Sequence, residues 1–222
     1  MAKGSKNSGK VLSRERFLAQ ALDLAQRQGV DFTMRTLGEE LGVSPMAIYR
    51  HFENRDELIN ELINAVLGEV LSPAALRRVA DGRRGWRSRA LEFCMHCYDV
   101  VVKYPGSAQL IVTAHAYSPN RVRLTELIVD FLADLGLTPR RSIEIVHSMS
   151  LLLFQAATLE QQKRDGEISV DIFVSEVEDT NSRLADPELL DVVLNTSLRE
   201  RAERGMHIIF DAIEYELSTD SG

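Results

Sequence analysis

A chain of 222 residues with 45% apolar content is long enough for one or two domains with a sizeable core. Its net charge of −7 excludes a globally basic nucleic-acid binder, but residues 1–60 hold nine Lys and Arg against eight Asp and Glu, and the remainder seventeen against twenty-five, so any DNA contact belongs to the N-terminal quarter. Two cysteines exclude a disulfide framework, the first ten residues lack the apolar stretch of a signal peptide, and no apolar run reads as long enough to span a bilayer; a cytoplasmic protein without membrane contact is expected.

Residues 1–11 are polar, small and basic (Lys3, Lys6, Lys10) and read as a disordered tail. Its lysines could lie along phosphates or only keep the chain soluble. Ser13 is placed to cap a first helix running to about Gln28, with Phe17, Leu18, Ala21, Leu22 and Ala25 as its buried stripe and Gly29 at its end. Thr33 caps a second, in which Leu37 and Leu41 fall four apart. Gly42 suits a tight turn. Ser44 followed by Pro45 marks a new start and predicts a helix of about two turns. Ile48 and Phe52 supply its apolar face, and Met46, Ala47, Tyr49, Arg50 and His51 its outer one. Asn54 caps the next helix, with Glu57 placed to reach back.

A helix, a tight turn and a short helix with a mixed outer face describe a helix-turn-helix. The run Leu41-Gly42-Val43-Ser44, then Ile48-Tyr49-Arg50-His51-Phe52, then Asn54-Arg55-Asp56-Glu57-Leu58 resembles, without a gap, the DNA-binding domain of the TetR/AcrR family of transcriptional regulators. The close resemblance covers residues 12–60. Gly38 stands where the family usually has alanine, and Arg55 where it usually has lysine. The resemblance implies that Ser44, Pro45, Met46 and Ala47 lie at the end of the recognition helix that meets base edges. Having no donors, Met46 and Ala47 would favour thymine methyls. It also implies that Tyr49, His51, Thr33 and Arg55 meet phosphate, that Arg50 adds charge and that Arg35 can reach a base.

Beyond residue 60 every periodic segment reads as helix, and no strand alternation or internal repeat is found. The helix from Asn54 carries Leu58, Ile59, Leu62, Ile63, Val66 and Leu67 until Ser72-Pro73 breaks it, and residues 81–85 read as a loop. Further helices are predicted over Trp86 to Lys103, Ala108 to His115, Pro119 to Leu135, and from Pro139 through Lys163. Residues 149–159 leave almost no polar face, so that helix is buried on all sides. A short helix near 172–177 is a weak signal. Asp186-Pro187-Glu188 starts a last helix to about Leu217 with Leu190, Leu194, Leu198, Ala202, Ile209 and Ile213 on one stripe, and residues 218–222 fray. The expected architecture is all-α: a three-helix DNA-binding head over 12–60 and a larger helical domain over 61–217.

In this family ligand pockets are built among such helices. Phe93, His96, Cys97, His115, Tyr117, His147, Met149 and Phe154 are the candidates here, for an effector the sequence does not name. The last helix and the apolar run would form a four-helix interface with their symmetry mates, as in the family. Met149, Leu153, Leu190, Leu194, Leu198, Ala202, Ile209 and Ile213 would line it. The resemblance thus implies a homodimeric repressor of operator DNA, without cofactor. A rival reading uses the C-x-x-C pair Cys94 and Cys97 as a thiol or metal sensor, against ordinary buried thiols. A helical enzyme is a third, but no G-x-S-x-G, Gly-rich phosphate loop or H-E-x-x-H occurs.

Overall fold

The computed structural model describes residues 13–113, 118–164 and 186–219. The expected basic tail, His115, Tyr117 and the weak helix at 172–177 lie outside them. Among the described residues the chain forms eleven helices and no strand: α1 (Arg14–Gln28), α2 (Met34–Leu41), α3 (Pro45–Tyr49), α4 (Arg55–Val70), α5 (Pro73–Val79), α6 (Trp86–Val102), α7 (Ser107–Thr113), α8 (Pro119–Asp134), α9 (Pro139–Arg164), α10 (Pro187–Asn195) and α11 (Leu198–Thr219).

The first four helices start and stop on side chains the sequence puts there. Ser13 Oγ accepts from the Arg16 N–H at 3.4 Å, Thr33 Oγ1 from the Thr36 N–H at 3.0 Å and Asn54 Oδ1 from the Glu57 N–H at 2.8 Å. Glu57 reaches back one residue farther than a capping box predicts, to the Glu53 N–H. Ser44 is extended before Pro45, but its hydroxyl makes no capping bond. The expected two-turn helix is shorter: α3 has five residues, and the Ile48 carbonyl collects the N–H groups of both His51 and Phe52, at 2.8 and 3.1 Å. Arg50 and His51 therefore sit in the turn that follows. Gly42 closes α2 at φ +66°. Gly38 costs α2 roughly 1 kcal/mol against alanine, and the structure uses the missing Cβ. An atom there would lie 2.8 Å from the Val43 carbonyl oxygen, so glycine lets the turn fold tightly back, with the Val43 N–H on the Gly38 carbonyl at 2.9 Å.

Phe17, Ala21 and Leu24 of α1, Leu37 of α2, Ile48 of α3, Phe52, and Leu58 and Leu62 of α4 form the head's core, all fully buried. Leu24 takes the central place that the predicted stripe gave to Leu18 and Leu22, which are only partly covered. Each buried leucine contributes roughly 1.5–3 kcal/mol. The expected boundary after residue 60 falls inside α4, whose Ile63, Val66, Leu67 and Val70 continue the buried stripe into the second unit. The helix α5 was not expected: Ser72-Pro73 ends one helix and starts the next, since proline is tolerated at a first turn.

In the larger unit α9 is central and packs against α6, α7, α8 and α11. Against the sequence expectation, Pro139–Lys163 is long and apolar enough to cross a bilayer, with a window of mean hydropathy 1.3; here it is a core helix wrapped by four others. Nor is it buried all round, because Leu151 is 59% exposed. The predicted last helix is two helices. Thr196 is extended, and Ser197 and Glu200 cap each other's backbone to start α11 anew. Leu190 and Leu194 thus belong to α10, apart from the stripe on α11. Four residues expected at a dimer interface, Met149, Leu153, Ala202 and Ile213, are at most 6% exposed within one chain. They belong to its own core. At Gly205 a Cβ would overlap the Leu152 side chain, so glycine lets α11 lie close on α9.

The two units meet at a defined junction. The Val30 N–H donates to the Pro105 carbonyl at 2.8 Å. Gly106 adopts φ +82° with no room for a Cβ beside Val30, and its N–H donates to Gln161 of α9 at 2.9 Å. Gln26 of α1 donates to the Tyr104 hydroxyl at 3.0 Å, which donates to Glu69 of α4 at 2.9 Å. Burial works to raise the Glu69 carboxyl, but hydrogen bonds from Lys103 and Tyr104 outweigh it and hold it below its ordinary value. Asn120 at the start of α8 grips Asn64 of α4 with two further bonds, at 2.8 and 3.0 Å.

Candidate nucleic-acid interface

The short helix α3 has one face fixed and one free. Ile48 and Phe52 are fully buried, while Met46 is 68% and Tyr49 43% exposed. Arg50 is exposed, has no ion pair with any described residue, and sits beside Tyr49 on that side. Ala47 is half-buried between them. Ser44, exposed at the start of α3, keeps its hydroxyl free of capping duty. The structure thus brings Ser44, Pro45, Met46, Ala47, Tyr49 and Arg50 together around one short helix.

Four other expected contacts are differently placed. Thr33 is exposed, but its hydroxyl already accepts from Thr36. Arg35 extends from α2 with its side chain 82% exposed and pairs with Glu39 at 2.9 Å. His51 is half-buried, its ring 5.1 Å from that of Phe17. Arg55 turns back toward the loop before α2: Nε donates to the Phe32 carbonyl at 2.9 Å and Nη2 to the Val30 carbonyl at 3.1 Å.

One residue that positions this surface was not expected. Arg14, at the start of α1, donates to Glu57 at 2.6 Å and to Glu61, both on α4, and to the His51 carbonyl, with its guanidinium 4.3 Å from the Phe52 ring centre. It ties three segments together directly behind α3. No local pattern signals it, because its partners are 37 to 47 residues away. The guanidinium in turn holds the Glu57 carboxyl below its usual value, helped by the Glu53 N–H. Arg27 makes a second tie, to Glu40 of α2 at 2.9 Å.

The larger unit holds two cavities that divide the candidate ligand residues. Phe93 and Met149 line a closed apolar space of about 30 Å³ with Cys94, Trp86, Phe131 and Phe210, room for water but not for an organic molecule. His147 and Phe154 line a cleft of about 490 Å³ among α4, α7, α8 and α9, within the range of ligand pockets. His96 and Cys97 line neither; His96 borders a surface groove with Asp99 and Arg199. Burial pushes the Cys94 thiol up to about 12, and the Cys97 thiol well above its ordinary value, reinforced by Cys94. At neutral pH both stay protonated, and a protonated thiol is neither nucleophile nor metal ligand. Among the described residues no group of three or more His, Cys, Asp or Glu is arranged to hold a metal.

These features have counterparts in known proteins. The chain is 26% identical over 127 residues to an HTH-type transcriptional regulator of Saccharopolyspora erythraea, the match covering 57% of this chain and 51% of that one; it spans about half of that relative's length. It is 27% identical over 157 residues to the tetracycline repressor protein class G of Vibrio anguillarum, covering 70% and 72%. The fold matches the crystal structure of the Streptomyces coelicolor TetR family protein ActR in complex with actinorhodin. There the TM-score is 0.69 at 23% identity, over 93% of this chain and 98% of that one. Residues 17–62 match the family model of bacterial regulatory proteins of the tetR family, and residues 80–210 that of the tetracyclin repressor-like C-terminal domain. With both units accounted for, the chain belongs to the tetR family of bacterial regulatory proteins.

Proposed function

We propose that the protein is a homodimeric repressor that grips a two-half-site operator through α3 and lets go when a small molecule fills the cleft in its helical domain. The observation that carries this reading is the exposed face of Met46, Tyr49 and Arg50 on a helix whose opposite face is fully buried. Met46 and Ala47 meet base edges and favour thymine methyls. Ser44, Tyr49, Arg50 and, at the margin, Thr33 and His51 meet phosphates. Arg35 leaves Glu39 to reach the groove. Arg55 acts through the loop it braces rather than on phosphate. Release is a population shift: the effector favours the form whose heads are misplaced for successive major grooves. Such a protein works where the DNA is, in the bacterial cytoplasm, and carries out no catalysis.

The test starts with selection of bound DNA from a random pool. Against the selected operator, Tyr49→Phe and Arg50→Ala are expected to stay folded and dimeric but to bind more weakly. For each phosphate contact removed, the slope of log affinity against log salt should fall by about one. Unchanged binding in both variants would remove α3 from the interface.

The thiols are structural in this reading. Cys94→Ser combined with Cys97→Ser places two hydroxyls in apolar surroundings, at a cost of about 1–3 kcal/mol each if unbonded. A lower melting temperature with intact effector response is the expected result. Loss of response at normal stability would favour the sensor instead.

A further inference from the structure

The cleft beside α9 has an electrostatic character opposite to that of the unit around it. Residues 61–222 carry seventeen Lys and Arg against twenty-five Asp and Glu, yet none of the described residues lining the cleft is acidic. Its two chargeable side chains, Arg121 of α8 and His147 of α9, are both cationic when charged. Thr125 and Ser150 add hydroxyls, and the rest of the wall is aliphatic or aromatic. An apolar cavity with one cationic end selects by charge, because an ionised group leaving water for such a site needs a partner of opposite sign. An ammonium group would find none among the described lining residues.

Resting on the reading of this cleft as the effector site, we propose that its ligand is an apolar, ring-sized molecule carrying one anionic group, a carboxylate, sulfonate or ionised phenol. The anion sits against Arg121, and the apolar body lies along Leu124, Ile128 and Phe154. The closed space behind Phe93 and Met149 takes no part.

Two matched probes test this. Anilinonaphthalene sulfonate and phenylnaphthylamine share one aromatic skeleton and differ by the sulfonate. Titrated by fluorescence into the full chain, the sulfonate is expected to bind one site per chain, about tenfold or more tighter than the neutral probe. Arg121→Gln should bring the two affinities to within about twofold, and Arg121→Lys should restore most of the preference. Thr125→Trp, which fills the cleft, should abolish both at unchanged helix content. Equal affinities for the two probes, both blocked by Thr125→Trp, would overturn the anion preference while leaving the cleft as a ligand site. Sulfonate binding untouched by Thr125→Trp would overturn the cleft itself.

Discussion

Ile208→Asp is expected to yield folded monomers that no longer hold operator. Ile208 is 70% exposed on α11, Tyr215 one helical stretch further on is 73% exposed, and Leu151 on the adjoining α9 is 59% exposed. Only 44% of the apolar window of α9 is buried inside one chain. An apolar strip of this kind, on two helices locked together at Gly205 and Leu152, is surface that a second copy covers. An aspartate at Ile208 leaves the monomer's own core untouched but would be buried unpaired in the dimer. With one head left, the gain from simultaneous engagement of two half-sites disappears, on the order of 10²-fold or more in affinity. Phe210→Asp is the contrasting variant. Phe210 is 1% exposed and stands edge-on to Trp86 at 5.4 Å, so that chain should not fold its larger unit at all. Sedimentation with circular dichroism separates the two. An Ile208→Asp protein that sediments as a dimer would put the interface elsewhere.

Arg14→Ala is the second large effect, and it falls on binding more than on stability. The side chain is about one-third exposed, so its ion pairs with Glu57 and Glu61 are partly screened and contribute about 1 kcal/mol to folding. Its geometric role is larger, since it alone joins the start of α1 to the turn after α3 and to α4. Freed from it, α3 keeps its contact residues but loses their orientation. If each head loses about tenfold, operator binding falls about a hundredfold, uniformly across sequences rather than at one base pair. The pH dependence has a definite sign. Arg14 and the Glu53 N–H hold the Glu57 carboxyl low, so the clamp is intact above the unfolded carboxylate range and weakens as pH falls through the folded value, in acid below about 4. Retained affinity with intact specificity would mean that the cap at Asn54 alone suffices to place α3.

The legible parts of this molecule were those written in adjacent residues. Ser13, Thr33 and Asn54 cap as their positions suggest, and Gly42 turns the chain where a left-handed residue is needed. What was not legible depends on distant partners. Met149 and Leu153 look like interface residues in a helix apolar nearly all round, and only α6, α8 and α11 closing over them decide otherwise. The stripe from Leu190 to Ile213 kept a helical period across a break, because Ser197 and Glu200 cap the second helix without interrupting the hydrophobic spacing. His147 and Phe154 share a cleft, and His96 does not join them, because residues on one stretch of helix can face opposite sides.

The junction at Tyr104 to Gly106 bears on the operator itself. Val30, Gln26 and Asn64 bind the head to the body at separate points along α1 and α4. The head is therefore bolted, not tethered. A tethered head could follow a half-site wherever it moved. A bolted one carries a fixed ruler, and DNA is graduated: each base pair inserted between half-sites displaces the second by about 3.4 Å and turns it by about 35° around the duplex. The protein should therefore be as selective for the length of the spacer as for the letters that flank it.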